Sequence, residues 1–322
     1  MTEVNFKAKG LMAVRAARAL SVNKGYFTDA VESTRKNDPT VSAYIEKAAM
    51  AGATTADFIA LAGSPIAREL GEYIFAQTIP GKLMASAQQL PFGAPLVSFT
   101  GIGSDWLKEG EAIPMRKGNA SSAKLKAFKL ASLAAVSREL EMLAAAGTDA
   151  AIRGTITSAA VRKIDEKFLS ADAEVDGLSP AGILKDAETA TSFAEMFKTH
   201  VDNGNKLATS SLILPIEGVF GITDVQFKQF ALLGVQLLFS QYATQTALID
   251  ASNVIINVQG TLIDISKSAV LEMSDAPTNN IKDPEPAEMV SLYQTNSAAY
   301  RAITYCSWGS VGKAATVLQA TT

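Results

Sequence analysis

The sequence predicts an α+β fold: helices and strands share one chain without the regular βαβα rhythm of a doubly wound sheet. Three observations lead there. Ile152, Ile156, Ala160, Ile164 and Phe168 recur at four-residue steps, the stripe of one long helix. Between Pro91 and Leu133 the chain is punctuated by Pro91, Gly93, Pro95, Gly101, Gly103, Gly110, Pro114 and Gly118, the texture of an extended two-stranded excursion. Beyond residue 200, short runs of β-branched and aromatic residues alternate irregularly with helical stretches.

The elements follow in order. Residues 1–72 read as helical fragments, Leu11 to Leu20, Ser42 to Met50 and Thr55 to Leu61, separated by breakers such as Asp38-Pro39. None is long enough to be stable by itself, so the segment reads as an arm that acquires structure on a partner. Ile66, Leu70 and Ile74 give a helical face that ends before Ile79-Pro80-Gly81, within a link over 73–90. In the excursion, 91–133, Leu96 to Phe99 and Lys124 to Leu130 read as strands, the second half-exposed because lysines alternate with apolar residues. Thr148 to Leu169 is the long helix, about 33 Å of strut within a domain over 134–176, with Asp149 in its first turn. A further domain over 177–261 carries helices near Asp186 to His200 and from Asp224 to Leu233. Its strands are Leu212 to Ile216, Val235 to Phe239 and Val254 to Val258. Over 262–322, Leu262 to Ile265, Ala269 to Met273 and an aromatic run after Met289 return as strands, and Val311 to Leu318 is expected as a final edge.

Composition narrows the function. One cysteine, Cys306, and one histidine, His200, leave no internal disulfide and remove most zinc and hydrolase chemistry. The net charge of −3 lacks the basic balance of a phosphate-gripping protein. The exception is local: Lys7, Lys9, Arg15 and Arg18 face only Glu3, and read as a basic arm. No apolar run approaches a membrane span. Charged residues are 19%, against roughly 25% in an average globular protein, which fits a surface partly covered by neighbouring subunits.

Candidate chemistries lose to structural readings. Asp172-Ala-Glu174-Val-Asp176-Gly177 opens like a calcium loop, but Ile183 stands where a bidentate glutamate is needed and Pro180 interrupts it. Gly309-Ser-Val-Gly-Lys313-Ala314 resembles a phosphate loop without its leading glycine or its hydroxyl. His200 reads as a cation closing a helix, and Cys306 as a small buried hydrophobe. The carboxylates Asp283, Glu285 and Glu288 read as a solvated, proline-bearing loop. No catalytic residue, cofactor or metal is expected. Trp106, Leu107, Ile113 and Met115, however, sit in a loop and need burial that a neighbouring subunit can supply.

Three stretches, in order, resemble the tailed-bacteriophage major capsid protein family, whose fold is shared with encapsulins and the herpesvirus capsid floor. Trp106-Leu-Lys-Glu-Gly-Glu-Ala-Ile-Pro114 is similar to the family's E-loop, an apolar pair, an acidic-glycine-acidic turn and a proline. Ala135-Val-Ser-Arg-Glu-Leu140 is similar to the entry into its spine helix. Ser291 to Tyr305, with Arg301, resembles its closing strand. The resemblance implies an N-terminal arm, an E-loop, a peripheral domain on the spine helix and an axial domain. It implies a non-enzymatic virion subunit, built into hexamers and pentamers of an icosahedral shell around double-stranded DNA in the bacterial cytoplasm. Trp106, Leu107, Lys108, Glu109, Glu111, Ile113 and Met115 become the candidate inter-subunit contacts. Implied partners are further copies, a scaffolding protein, a portal, a decoration protein and DNA held without sequence preference, with no membrane. Ile113 stands where some members carry a cross-linking lysine, so that cross-link is not expected. Two other readings stay open: an encapsulin-like compartment shell and an α/β enzyme with an unrecognised site.

Overall fold

The computed structural model describes residues 11–23, 27–36, 38–50, 65–100, 108, 119–143, 145–274 and 288–319. Helices α1 (Leu11–Val22), α2 (Phe27–Arg35) and α3 (Pro39–Met50) lead. The described strands are β1 (Pro95–Thr100), β2 (Asn119–Lys124), β3 (Phe128–Ser137), β4 (Glu188–Ala190), β5 (Ser210–Leu214) and β6 (Gln236–Phe239), followed by β7 (Ala247–Asp250), β8 (Val254–Ser266), β9 (Val270–Glu272), β10 (Met289–Ser291), β11 (Ser297–Ser310) and β12 (Ala315–Leu318). They fold as two compact units interleaved in sequence. One is drawn from residues 1–77, 129–162 and 258–305, the other from 78–128, 163–257 and 306–322.

In the first unit, α1, α2 and α3 pack on one another through Ala16, Ala30, Val41 and Ile45, and Ser42 Oγ donates to the Val31 carbonyl at 3.1 Å. Val14 joins Ile152 and Ile156 of the long helix and Ala298, Tyr300 and Ala302 of β11 in a second cluster. Segments too short to be stable alone are thus ordered by tertiary burial within the chain. Strands β3, β11 and β8 form a three-stranded sheet in that order, with Thr261 and Thr304 hydrogen-bonded at 2.6 Å in its interior. Along β3, burial alternates, as it does in a strand with one covered face. The Pro65–Phe75 helix approaches β8 closely at Gly71, where a Cβ would come within 3.2 Å of the Gln259 oxygen and the Gly260 Cα. Strands β9 and β10 pair antiparallel.

The second unit centres on a five-stranded mixed sheet, β4-β12-β7-β5-β6. Its inner strands β5 and β7 are buried at every position, so their sequences, Ser-Ser-Leu-Ile-Leu and Ala-Leu-Ile-Asp, show no apolar–polar alternation. Met196, Leu212, Leu214, Phe230 and Leu248 form the core, with Phe193 tilted and Phe197 stacked against Phe230 at 5.3 and 5.5 Å between ring centres. Ser192 caps the Phe193–Asp202 helix, and Thr223 and Gln226 form a reciprocal capping box on Asp224–Leu232. Phe168 ends the long helix fully buried, edge-on to Trp308 at 5.4 Å, and Trp308 Nε1 donates to the Ala181 carbonyl at 2.8 Å. Next to it, Gly182 has no room for a side chain, because a Cβ would overlap the Ser170 carbonyl oxygen.

All five residues of the predicted stripe, from Ile152 to Phe168, are buried. Several boundaries differ. The long helix spans Ala145–Phe168, so Asp149 lies beyond its first turn. Residues 188–190 form β4 instead of opening a helix, because they pair in parallel with β12. Val254 to Val258 and Leu262 to Ile265 belong to one strand, β8. β12 is not an edge: it lies between β4 and β7, and β6 stands at the end of the sheet.

Candidate intersubunit surfaces

The described residues of the excursion include a two-stranded ribbon. β1 and β2 pair antiparallel from Pro95 opposite Lys124 to Thr100 opposite Asn119. The expected returning strand from Lys124 is interrupted at 125–127, because Leu125 turns inward. That side chain is buried, its N–H donates to the Ala94 carbonyl at 3.3 Å, and its carbonyl accepts from the Gly93 N–H at 2.9 Å. Beside it, Lys126 Nζ donates to Glu174 at 2.7 Å and to Asp176 at 2.9 Å, which raises its pKa further. The acidic loop weighed as a calcium site is therefore committed to lysines, with Lys167 also pairing with Asp172 at 3.3 Å. Of the candidate contacts, Lys108 is described and exposed. Trp106, Leu107, Glu109, Glu111, Ile113 and Met115 lie outside the described residues, as do Asp283 and Glu285.

His200 is not a helix-end cation. Its ring is fully buried, with Nε2 2.9 Å from Ser210 Oγ and Nδ1 3.1 Å from Thr316 Oγ1. Ser210 already donates its hydroxyl proton to the Lys206 carbonyl at 2.6 Å, so Nε2 carries the proton and Nδ1 accepts. Protonating Nδ1 would set a proton against the Asn205 amide N–H and require Thr316 Oγ1 to accept instead of donate. Desolvation pushes the pKa down to about 4, with Asp250 pulling the other way. His200 is a neutral tie between the Phe193–Asp202 helix and strands β5 and β12. Asp250 is pushed up by burial, but N–H and hydroxyl donors from Lys206, Thr209 and Ser252 hold it below the ordinary carboxylate range overall.

Asp165, on the long helix, accepts the Ile79 N–H at 2.8 Å, and burial pushes its carboxyl up to about 6 against that bond and nearby Lys82. Cys306 is buried and its thiol is pushed up to about 12 by desolvation, the unreactive state expected of it. Lys313, the lysine of the phosphate-loop likeness, pairs with Glu188. Among the described residues no cluster of His, Cys, Asp and Glu could hold a metal ion, and no helix is long and apolar enough to cross a membrane.

The second unit leaves a set of apolar side chains uncovered. The Ile216–Phe220 helix, the Asp224–Leu232 helix and edge strand β6 expose Ile216, Val225, Phe227 and Phe239, and above all Phe220 at 87% and Leu232 at 88%. Two grooves flank the Asp224–Leu232 helix. One, of about 340 Å³, opens toward β6 and is lined by Val219, Phe227, Leu237 and Phe239. The other, of about 300 Å³, opens toward the Phe193–Asp202 helix and is lined by Phe193, Phe197, Leu232 and Leu233. Between Leu214 and Phe239 the charged residues are Glu217, Asp224 and Lys228. Exposed apolar side chains with few charges among them have the composition of interface cores. Sequence reasoning placed a helix from Asp224 to Leu233 and a strand from Val235 to Phe239 without singling out these side chains; the low charge of the stretch was the available signal.

Residues 86–233 match the phage capsid family model. The chain is 26% identical to the capsid polyprotein of Pseudomonas phage PAJU2 over 95% of its own length and 54% of that protein's, so it spans about half the length of this relative. Among solved structures, chains from Mycobacterium phage Adephagia and Microbacterium phage Oxtober96 superpose with TM-scores of 0.51 each, at 15% and 12% identity, over 74% of this chain and 90% of theirs. The likeness to these two is one of fold.

Proposed function

We propose that this chain, whose residues 86–233 carry the pattern of the phage capsid family, is a major capsid subunit. It assembles with its own copies as hexamers and pentamers into the icosahedral head that encloses a tailed phage's double-stranded DNA. The observation that carries this is a fold that holds out an antiparallel ribbon and leaves one apolar face uncovered, both within or beside the matched segment. Such a subunit is incomplete without neighbours, because its exposed apolar surface is stabilised only by association.

The segment that joins β1 to β2 is the part offered to an adjacent subunit, with Trp106, Leu107, Ile113 and Met115 as its candidate apolar contacts and Lys108, Glu109 and Glu111 as its candidate polar ones. With Ile113 in place of a lysine, the shell is held by non-covalent contacts. With a net charge of −3, DNA is enclosed and not gripped. A scaffolding protein, a portal and a decoration protein are the expected heterologous partners, and the head is built in the bacterial cytoplasm.

The test is direct. The expressed chain is examined by sedimentation and negative-stain microscopy, alone and with a Trp106→Ser, Leu107→Ser double variant. Capsomer-sized oligomers or shells are expected of the parent, and their loss, with unchanged circular dichroism, in the variant. A parent that stays a monomer overturns the proposal; unimpaired shells from the variant overturn the role of the segment that joins β1 to β2.

A further inference from the structure

Three neighbouring strands of the first unit begin or end around one cavity. Arg138 follows the last residue of β3, Lys267 follows the last residue of β8, and Ser297 opens β11, which lies between those two strands in the sheet. The three residues line a cavity of about 330 Å³. Arg138 and Lys267 are both half-buried there, and among the described residues no carboxylate lines it. Glu139, next in the chain, is already engaged, its carboxylate accepting from Asn296 Nδ2 at 2.6 Å. Asn296 has φ 48°, in the left-handed region that its short side chain tolerates, and its carbonyl accepts the Arg138 N–H at 2.9 Å. The Arg138 backbone is thus fixed at the cavity, whereas its guanidinium meets no hydrogen-bond or ion-pair partner among the described residues. Lys267 has an interaction of its own, so the open donors are those of Arg138. Charge partly withdrawn from water without a partner is costly, and an anion in the cavity would relieve that cost.

We infer that this cavity binds a small phosphomonoester, with Arg138 and Lys267 on the phosphate and Tyr293 beside an attached ring. Two cations match a terminal phosphate, which carries about −1.5 to −2 at pH 7. A carboxylate or a nucleic-acid phosphodiester, each a monoanion, matches them less well. The planar guanidinium presents paired N–H donors to phosphate oxygens, and the ammonium adds a point charge. Tyr293 lines the same cavity and is 83% exposed, leaving an aromatic face on which a nucleobase can stack, and the buried Leu292 and Ala298 give the wall its apolar side. A mononucleotide meets all of these groups, and inorganic phosphate meets the cations alone; both present the same dianion. The site lies within one unit of a single subunit and does not depend on the capsid reading.

The test is isothermal titration calorimetry of the full chain near neutral pH with adenosine monophosphate, inorganic phosphate, adenosine and a short DNA duplex, with circular dichroism as the folding check. Adenosine monophosphate should bind at one per chain, inorganic phosphate more weakly, and adenosine not measurably. Arg138→Gln should weaken both phosphate ligands by about tenfold or more. Tyr293→Ala should weaken adenosine monophosphate by about tenfold and leave inorganic phosphate unchanged. No saturable binding of either phosphate ligand by the parent overturns the inference, and so does unaltered binding by a folded Arg138→Gln variant. If that variant does not fold, the parent decides: equal affinity for adenosine and adenosine monophosphate overturns phosphate recognition. A duplex that displaces adenosine monophosphate at equal phosphate concentration overturns the preference for a terminal phosphate, and a Tyr293→Ala variant that binds adenosine monophosphate like the parent overturns the ring contact.

Discussion

Two buried titratable groups in the second unit should make its stability respond to acid in opposite directions. His200 is ordinarily protonated below 6.5 but is held to about 4 in the folded chain. The unfolded chain therefore takes up a proton that the folded one refuses, and stability present above pH 6.5 is lost as pH falls through that window. From pH 7 to 5 the loss is about 2 kcal/mol. Asp165 is raised from 3.8 to about 6, so the folded chain takes up its proton first and stability is gained as pH falls through 6. Over the same interval the gain is about 1 kcal/mol. The window stays above the range where the lowered carboxyls of Asp172, Glu188 and Asp250 titrate. Urea unfolding followed by circular dichroism at several pH values separates the two groups. The parent should lose about 1 kcal/mol between pH 7 and 5, Asp165→Asn should lose about 2, and His200→Gln should gain about 1. Parallel profiles for the three proteins would refute the reasoning, because the burial of both groups would then not govern their protonation.

Phe168→Ala removes the ring that closes the long helix against Trp308, and should cost about 3–5 kcal/mol by urea unfolding. Gly182→Ala forces a Cβ into the Ser170 carbonyl and should cost about 2–3 kcal/mol, or prevent accumulation of folded protein. Cys306 should react with an aromatic disulfide reagent only at the rate of unfolding, since its thiol is buried and shifted up to about 12; rapid labelling of native protein would contradict that burial.

Much of the fold was legible because burial is periodic wherever an element has one covered face. The Ile152 to Phe168 stripe announces itself through its spacing of four, whereas β3 runs on to Ser137, beyond the Leu130 at which the half-exposed strand was expected to end, and leaves Leu133 exposed. Where both faces are covered, the period vanishes. β7, Ala247–Asp250, was missed for that reason, and β4 was absorbed into a helix because three residues carry no pattern until β12 lies beside them. His200 shows the same limit for charge. Its position at a helix end suggested a cation, and only the burial of its ring, where Ser210 and Thr316 of two strands meet it, made it neutral.

The sequence by itself determined the α+β class, the long helix, the ribbon and the absence of recognisable catalytic chemistry, since each depends on local spacing, turn residues or composition. Tertiary structure alone decided that the short N-terminal helices order against one another through Ala16, Ala30, Val41 and Ile45, and that the acidic loop is tied up by Lys126 and Lys167. It also decided that Phe220 and Leu232 face water. Apolar residues on a helix read the same whether their partner is the same chain or the next copy, and which of the two it is depends on what the rest of the fold leaves uncovered.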